Sequence, residues 1–252
     1  MSRAPAPDEK GLHEVHAGQA FSIPFENLDI QLGRSISLNP ETLVSKIVYQ
    51  GRGGYCFELN GIFALALKAL GFTVRSLLAR VFYGGNELGA RTHQVLIVTV
   101  SGRNWLADSG FGGPGLRWPL SITRDRIQEQ YGERFRLRRE TKWGWVLQKE
   151  INDTFEDLYV FNEDEPTIDA DFEMANHYTA TWPLSFFRLH RMCSLHKPWG
   201  RITLLDSELT VHRNGHSVKK ALQPGHQYLK AIEEHFGIRL NATHEDLAPL
   251  YS

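Results

Sequence analysis

Cysteine is scarce in this 252-residue chain: only Cys56 and Cys193 occur, which excludes a disulfide framework. No segment approaches the roughly 18 to 20 uninterrupted apolar residues that cross a bilayer, and residues 1–10 lack the apolar core of a secretory signal. Lys and Arg number 28 against 29 Asp and Glu, so there is no basic surplus of the kind that binds nucleic acid or anionic lipid. These absences predict a cytoplasmic protein with neither a nucleic-acid nor a membrane partner.

The residues that are present change from a helical to an extended pattern along the chain. Residues 39–71 have helical periodicity, with Leu43, Ile47 and Val48 predicted on one buried face and Gly71 as a C-terminal cap. Strands are predicted at 73–83, 94–100, 104–111, 145–149, 157–161 and 202–212, the last folded at Asp206-Ser207, with Gly-Gly-Asn at 84–86 as a turn. A final helix is predicted near 224–235. Helices followed by strands predict an α+β protein.

The segment Gln50-Gly-Arg-Gly-Gly-Tyr-Cys56 joins a glycine-rich loop to the start of a helix. Unpaired backbone N–H groups and the helix dipole stabilise an anion there, so a cysteine at this position is favoured as the nucleophilic thiolate. Gly53 and Gly54 would let a substrate approach the backbone. The alternative is that Cys56 is a small apolar residue that only fills space. Cys193 has neither the loop nor the helix signal, and we interpret it as a packing residue.

A nucleophilic cysteine needs a base and a group that orients the base. His93 lies at the head of an apolar strand, where a rigid element would hold its ring. Asp108 is the only charged residue in an apolar strand ending, and a lone carboxylate is costly to bury unless it is paired. Considered alone, His93 is interpreted as a surface residue at the start of a strand. Its combination with Cys56 and Asp108 predicts a catalytic triad.

Two other patterns are weaker. Gly110-Phe-Gly-Gly-Pro-Gly115 has the letters of a dinucleotide-binding fingerprint, but the prolines that follow remove the helix that such a site requires. His13 and His16 have the spacing of metal ligands, yet no cysteine or carboxylate pattern accompanies them. We therefore interpret both histidines as solvated and expect no metal site.

Four blocks of sequence resemble those of the arylamine N-acetyltransferases, in the family's order. They are Ile-Pro-Phe-Glu-Asn-Leu-Asp at 23–29, Arg-Gly-Gly-Tyr-Cys-Phe-Glu-Leu-Asn at 52–60, Arg-Thr-His-Gln at 91–94 and Asp-Ser-Gly-Phe-Gly-Gly at 108–113. The similarity continues through 185–187 and 200–204 and so covers nearly the whole chain.

The resemblance implies a papain-like cysteine-enzyme core in three parts. These are an N-terminal helical bundle with the nucleophile (1–71), a central antiparallel β-barrel with the His and Asp (72–170) and a C-terminal α/β lid (171–252). By position, Cys56 is the nucleophile, His93 the base and Asp108 its orienting carboxylate. The resemblance also implies an Arg52–Glu26 ion pair beneath the loop. Substrate and CoA contacts are implied for Phe25, Phe111, Gly112, Gly113 and Phe187.

The activity implied is ping-pong transfer of an acetyl group from acetyl-CoA, a cosubstrate, to the nitrogen of an arylamine or arylhydrazine. No permanently bound cofactor is expected, and both a monomer and a homo-oligomer are compatible with the sequence. Two alternatives remain open: a Cys-His-Asp thiol hydrolase or transglutaminase-like enzyme, and a non-catalytic binder of CoA or another small molecule.

Two departures from the family pattern accompany the resemblance. A short Pro- and Ala-containing lead is predicted where family members have a further helix ahead of the 23–29 block, which would leave the bundle incomplete. Ser109 stands where a small apolar residue is commoner. Neither departure removes a member of the triad.

Overall fold

The computed structural model describes residues 4–82 and 87–247, so the Gly-Gly-Asn turn predicted at 84–86 lies outside the described residues. The helices are α1 (Glu9–Ser22), α2 (Leu28–Gln31), α3 (Pro40–Leu43), α4 (Cys56–Ala69), α5 (Asp169–Thr181), α6 (Phe186–Leu189) and α7 (His226–Phe236), with a π-helix at Val44–Tyr49. The strands are β1 (Phe25–Glu26), β2 (Thr73–Phe82), β3 (Leu88–Val100), β4 (Arg103–Ala107), β5 (Leu120–Ser121), β6 (Gln128–Gln130), β7 (Glu133–Glu140), β8 (Gly144–Ile151), β9 (Thr154–Phe161), β10 (Met192–Lys197), β11 (Gly200–Leu205), β12 (Glu208–Arg213) and β13 (His216–Ala221). None of the helices within the described ranges is long and apolar enough to cross a membrane.

Helix α1 corrects the prediction that a short lead replaces a helix ahead of residues 23–29. It begins at an N-cap, Asp8, whose Oδ1 accepts a hydrogen bond from the backbone of Gly11 at 2.8 Å. Its buried stripe is Leu12, His16 and Ala20, spaced four residues apart. A histidine in the middle of the stripe and two glycines elsewhere in the helix, Gly11 and Gly18, weaken the apolar periodicity of this segment.

The predicted helical region at 39–71 consists of several elements. The side chain of Asn39 caps α3 as predicted, accepting from the backbone of Glu41 at 2.9 Å. The π-helix follows α3 directly, and its wider turn changes the face that each residue occupies. Ile47 is buried, but Val48 is 58% exposed, so the prediction that both lie on the buried face is wrong for Val48. Gly71, beyond α4, has the positive φ (+88°) expected of a cap glycine.

Eight antiparallel strands form a nearly closed, barrel-like sheet in the order β5-β4-β3-β2-β9-β8-β7-β6. Leu77, Val95, Leu106, Phe135 and Leu147 are among the residues that fill its core. The β3–β4 register pairs Leu96 with Ala107, so Asp108, the next residue, lies diagonally across from His93 on the same face. Asp108 follows the end of β4, and His93 lies in the interior of the 13-residue β3 rather than at its head.

The second sheet has the order β1-β10-β11-β12-β13 and is also antiparallel. Helix α7 packs against this sheet through Tyr228, Ile232 and Phe236. Its range is close to the one predicted for the final helix. Strand β1, at the edge of this sheet, comes from the N-terminal part of the chain. The segment that precedes the cysteine loop is therefore fixed to the C-terminal sheet. The α+β architecture predicted from the sequence is confirmed.

Candidate active site

Cys56 is the first residue of α4, and the loop before it is held by backbone contacts with β1. The backbone of Glu26 donates to the carbonyl oxygen of Gly54 at 2.9 Å. A Cβ on Gly53 would lie 2.0 Å from the carbonyl oxygen of Pro24, and one on Gly54 would lie 2.6 Å from the Cβ of Glu58. The structure therefore gives these glycines a different reason from the predicted one: they let the loop pack against its own neighbours.

Glu58 connects the start of α4 to a buried group of charges. Its Oε2 accepts from the backbone N–H of Tyr55 at 3.1 Å, and its Oε1 lies 2.6 Å from Nζ of Lys46. Burial, with Glu26 nearby, raises the pKa of Glu58 to about 7 although Lys46 opposes the shift. The carboxyl group thus helps to fix the loop residue that directly precedes the cysteine.

The ion pair implied for Arg52 and Glu26 is present beneath the loop. Both the Nε and a terminal nitrogen of Arg52 donate to Oε1 of Glu26, at 2.9 and 2.7 Å. The other oxygen of Glu26 accepts from the backbone of Leu28 at 2.7 Å, and Asp29 lies 3.2 Å from Arg52. A buried charge with this many partners is stable where a lone one would not be.

His93 lies between Cys56 and Asp108. Its Nε2 is 2.8 Å from Oδ2 of Asp108, which leaves Nδ1 as the ring nitrogen available to the cysteine. Burial alone would lower the pKa of His93, but the charge of Asp108 and hydrogen bonds with Asp108 and Cys56 raise it to about 10. The Sγ of Cys56 is 3.6 Å from the carbonyl oxygen of Thr92, the residue before His93. The three residues predicted as a triad therefore meet at one place.

Asp108 is fully buried and receives hydrogen bonds on both oxygens. Its Oδ2 accepts from the hydroxyl of Tyr159 at 2.8 Å, and its Oδ1 accepts from Nδ2 of Asn60 at 2.8 Å and the backbone of Gly110 at 3.0 Å. Burial would raise the pKa of Asp108, but the charge of His93 and these side-chain hydrogen bonds hold it below its usual value. The carboxyl group therefore stays ionised beside the imidazole.

Comparisons with known proteins identify the relatives of this arrangement. A family model described as N-acetyltransferase matches residues 10–245. The arylamine N-acetyltransferase / N-hydroxyarylamine O-acetyltransferase of Salmonella typhimurium is 37% identical over 238 residues, which are 93% of this chain and 84% of that protein. The arylamine N-acetyltransferase of Escherichia coli is 39% identical over 230 residues, 90% of this chain and 81% of that protein. This chain belongs to the arylamine N-acetyltransferase family.

Solved structures of the family have the same fold. The Salmonella typhimurium enzyme has a TM-score of 0.91 at 34% identity, over 97% of this chain and 92% of that one. The Mycobacterium marinum enzyme, solved in complex with CoA, has a TM-score of 0.88 at 31% identity, over 94% of this chain and 89% of that one. The family resemblance inferred from the four sequence blocks is confirmed.

His16 is a residue of the site that the sequence analysis misinterpreted. The ring is fully buried, which contradicts the expectation of a solvated histidine, and its Nε2 accepts from the backbone N–H of Asp108 at 3.1 Å. Burial lowers the pKa of His16 to about 4, so the ring is neutral and its proton is on Nδ1. The four-residue spacing of Leu12, His16 and Ala20 is the signal that would have placed it inside.

Ser109, the second departure from the family pattern, contacts α1. Its Oγ accepts from Nε2 of Gln19 at 2.6 Å, and the same amide nitrogen of Gln19 donates to the carbonyl oxygen of Leu59. The backbone of Ser109 donates to Oδ1 of Asn60 at 3.1 Å. The hydroxyl of Ser109 therefore links the segment after Asp108 to α1, and its backbone N–H links the same segment to α4.

The aromatic residues predicted near the site differ in their surroundings. Phe111 packs edge-on against His93, with ring centroids 5.2 Å apart, and Phe187 lies 5.8 Å from Phe25. Phe25 is buried, and its ring is 3.0 Å from the position that a Cβ on Gly112 would occupy. Gly113 follows with φ +37°. Phe111 and Phe187 are partly exposed, whereas Phe25 supports the glycine turn from behind.

A cavity of about 310 Å³ is lined in part by Thr92, the residue before His93, and by Phe187. Among residues 4–82 and 87–247, no group of three or more His, Cys, Asp or Glu side chains has the geometry to hold a metal ion.

Proposed function

We propose that this chain acetylates the nitrogen of arylamines and arylhydrazines with acetyl-CoA, by way of an acetyl group on Cys56. Membership of the family supports acetyl transfer from acetyl-CoA to an arylamine. The observation that carries the route is the row formed by Asp108, His93 and Cys56 at the N-terminus of α4. The proposal also includes a division of the chain into three parts at about residues 71 and 170, a cytoplasmic location and a role in xenobiotic metabolism.

In the first half-reaction, Cys56 attacks the thioester of acetyl-CoA. The raised pKa of His93 favours a protonated imidazole at neutral pH, with the proton that Cys56 gave up. The thiolate sulfur bonds to the acetyl carbon, and the bond from that carbon to the CoA sulfur breaks. His93 returns its proton to the departing CoA thiolate, which leaves neutral imidazole beside acetyl-Cys56.

In the second half-reaction, the amine attacks the acetyl carbon of Cys56. Neutral His93 accepts the proton that the amine nitrogen loses, and Asp108 stabilises the imidazolium that forms. The sulfur of Cys56 leaves as the thiolate, so the starting ion pair is restored. Tyr159 and Asn60 keep Asp108 in place throughout, because each donates to a different oxygen of the carboxylate.

Backbone N–H groups at the start of α4, including that of Cys56, are the donors proposed for the oxyanion. They are among the first N–H groups of the helix and so have no partner within it. Loss of one such donor in other enzymes costs about 100- to 1000-fold in rate. Gly112 and Gly113 are proposed to contact CoA, and Phe111 and Phe187 to flank the acceptor ring.

The proposal is tested by trapping the intermediate. The purified chain is mixed with acetyl-CoA in the absence of an amine, quenched in acid, digested and analysed by mass spectrometry. One acetyl group is expected on the Cys56 peptide, and aniline added before the quench should remove it as acetanilide. Cys193→Ala should behave like the wild type, and Cys56→Ala should form no adduct.

Two results would contradict the proposal. One is an acetyl group on another residue with full activity in Cys56→Ala. The other is consumption of acetyl-CoA at the same rate with and without aniline, since this would indicate hydrolysis rather than transfer to an amine.

A further inference from the structure

A second cavity, of about 470 Å³, lies between the two sheets. Strands β7 and β8 of the eight-stranded sheet contribute Glu133 and Lys149 to its lining, and β11 and β12 of the second sheet contribute Arg201 and Arg213. The described residues that line it include none that line the cavity of Thr92. A volume of this size is within the range of small-molecule sites, about 300 to 1000 Å³. The acetyl transfer proposed above uses none of these residues.

The lining of this cavity is positively charged, although the chain as a whole has a net charge of −1 at pH 7. Five of the described lining residues are Lys or Arg, and two are Glu. The cations are Arg117, Arg134, Lys149, Arg201 and Arg213, and the carboxylates are Glu133 and Glu150. Arg134 is matched by Glu150, whose two oxygens both lie 2.7 Å from its guanidinium group. This leaves Glu133 as the one carboxylate in the described lining for the other four cations.

Three of the cations converge on Glu133. Its oxygens lie 2.8 Å from a terminal nitrogen of Arg117, 2.6 Å from Nζ of Lys149 and 3.4 Å from a terminal nitrogen of Arg201. The side chains of Arg117 and Lys149 are only 2% and 6% exposed. Three cations against one carboxylate leave a surplus of two positive charges, and buried charge is costly unless it is compensated.

The buried charges beneath the cysteine loop have the opposite balance. They comprise two cations, Arg52 and Lys46, and three carboxylates, Glu26, Asp29 and Glu58. Burial would lower the pKa of both cations, but the carboxylates outweigh it and raise that pKa. Around Glu133, burial lowers the pKa of all three cations, and the single carboxylate does not restore it. The charge group in the cavity therefore lacks negative charge that the group beneath the loop has.

An unpaired donor accompanies the surplus of positive charge. Nε of Arg117 is buried and has no hydrogen-bond partner among the residues that the structure describes. Buried polar atoms are nearly always paired, so a donor without a partner on a buried charged group indicates a missing acceptor. Guanidinium forks and a lysine ammonium are the groups with which proteins bind phosphate. A phosphate group in the cavity would supply both the negative charge and the acceptor oxygens.

We propose that this cavity binds a small molecule through a phosphate or diphosphate group, which Arg117, Lys149 and Arg201 hold between the two sheets. The site is separate from the CoA contacts proposed above, and the inference does not rest on the proposed function. A phosphate dianion matches the surplus of two charges and has oxygens for all three cations. The cavity is larger than one phosphate. Trp199 on its wall, with the guanidinium of Arg213 5.4 Å from the ring centroid, offers a surface for the organic part of the ligand.

The test titrates the full chain with inorganic pyrophosphate in a calorimeter, against sodium chloride of equal ionic strength. One site per chain is expected, and Arg201→Gln should raise the Kd by about 10- to 100-fold because a charge-assisted contact is lost. Glu150→Gln, which frees Arg134, should lower the Kd by about 2- to 5-fold. Arg103→Gln is the matched control, because it removes an exposed cation that pairs with Glu9 outside the cavity. Its Kd should stay within about 2-fold of the wild type.

Three results would overturn this site. They are no pyrophosphate binding beyond the sodium chloride control, equal weakening by Arg201→Gln and Arg103→Gln, and loss of pyrophosphate binding when the chain is saturated with CoA. The last result would assign the cavity to the phosphates of the cosubstrate. Where Arg201→Gln does not unfold cooperatively, Arg213→Gln replaces it and should raise the Kd by at least about 3-fold, and an unchanged Kd would equally overturn the site. Formation of acetyl-Cys56 is a separate measurement, so failure of the proposed function is distinguishable from failure of this site.

Discussion

Cys56 and Cys193 differ little in burial and greatly in their partners. Their side chains are 3% and 0% exposed, and both belong to apolar clusters. Cys56 interacts with a histidine whose other nitrogen is bound to a carboxylate, and it lies at the start of a 14-residue helix. Cys193 lies within β10, opposite Glu26 in the register.

The surroundings of Cys193 favour the neutral thiol. Burial, with the negative charge of Glu26, raises the pKa of Cys193 well above its usual value, and the charge of Arg52 only partly opposes this. The comparison supports the proposal that Cys56 is the nucleophile because of a cationic partner and a helix terminus, since its exposure exceeds that of Cys193 by no more than a few per cent.

The largest effect is expected from Asp108→Asn, which removes the carboxylate that keeps His93 protonated. Without it, burial lowers the pKa of His93, and the amide favours the wrong tautomer of the ring. The rate of Cys56 acetylation by acetyl-CoA should fall by about 1000- to 10,000-fold, measured by rapid quench and mass spectrometry. A fall of less than 10-fold in the rate of Cys56 acetylation would show that Asp108 is not what makes Cys56 more reactive than Cys193.

A smaller effect is expected from His16→Phe, which removes the acceptor of the Asp108 backbone N–H. An unsatisfied buried donor costs about 1 to 3 kcal/mol, so we expect that loss of unfolding free energy in urea titrations and about a 10-fold lower kcat. His16→Gln, which restores an acceptor, should recover most of the kcat. His13→Gln, at the neighbouring position on α1, is the control. If His16→Gln lost as much kcat as His16→Phe, a positioning role for this acceptor would be ruled out.

Glu58→Gln tests the charge group behind Cys56 through pH. The pKa of Glu58 is about 7 when folded against a model value of 4.5, so between these values the native state binds a proton that the unfolded chain has lost. The stability that Glu58 contributes is therefore complete below about pH 4.5 and is lost as the pH rises through 7. The unfolding free energy of wild type minus that of Glu58→Gln should decrease by roughly 1 to 3 kcal/mol from pH 5 to pH 8.

Urea titrations of both proteins at several pH values measure this difference. Other titrating groups cancel because they are common to the two proteins. A difference that is constant, or that increases with pH, would contradict the raised pKa.

The smallest effect on activity is expected from Cys193→Ala. The substitution leaves a small cavity in the core between β10 and α7, so the unfolding free energy should fall by about 0.5 to 1.5 kcal/mol. The kcat should stay within about 2-fold of the wild type. A large loss of kcat with normal stability would show that Cys193 contributes to catalysis and would contradict the comparison with Cys56.

The three residues proposed as a triad can be singled out in the sequence because each is a polar residue in an apolar or glycine-rich setting. Helix α4 is predictable from its apolar periodicity, and the β11–β12 hairpin from the Asp206-Ser207 turn within an extended segment. Strand β7 was missed because only Phe135 and Leu137 are buried among alternating charged residues. Strand β13 was missed because all six of its residues are exposed.

Other features depend on contacts between distant parts of the chain. The hydrogen bond from the backbone of Asp108 to His16 joins residues 92 apart, and nothing in the sequence near either residue indicates it. Tyr159 lies in a strand that was predicted, but its bond to Asp108 requires the sheet order β3-β2-β9, which the sequence does not contain. The need for a glycine at position 53 likewise depends on a distant contact, because a side chain there would clash with the carbonyl group of Pro24.

The central claim, that its partners make Cys56 the reactive thiol, is tested most directly by iodoacetamide labelling of the native chain from pH 6 to 9, with both cysteine peptides quantified by mass spectrometry. We predict that Cys56 is alkylated at least about 100-fold faster than Cys193, because His93 lies beside Cys56 whereas burial and the charge of Glu26 favour the neutral thiol of Cys193. Labelling of the two thiols at similar rates, or of Cys193 first, would contradict the account.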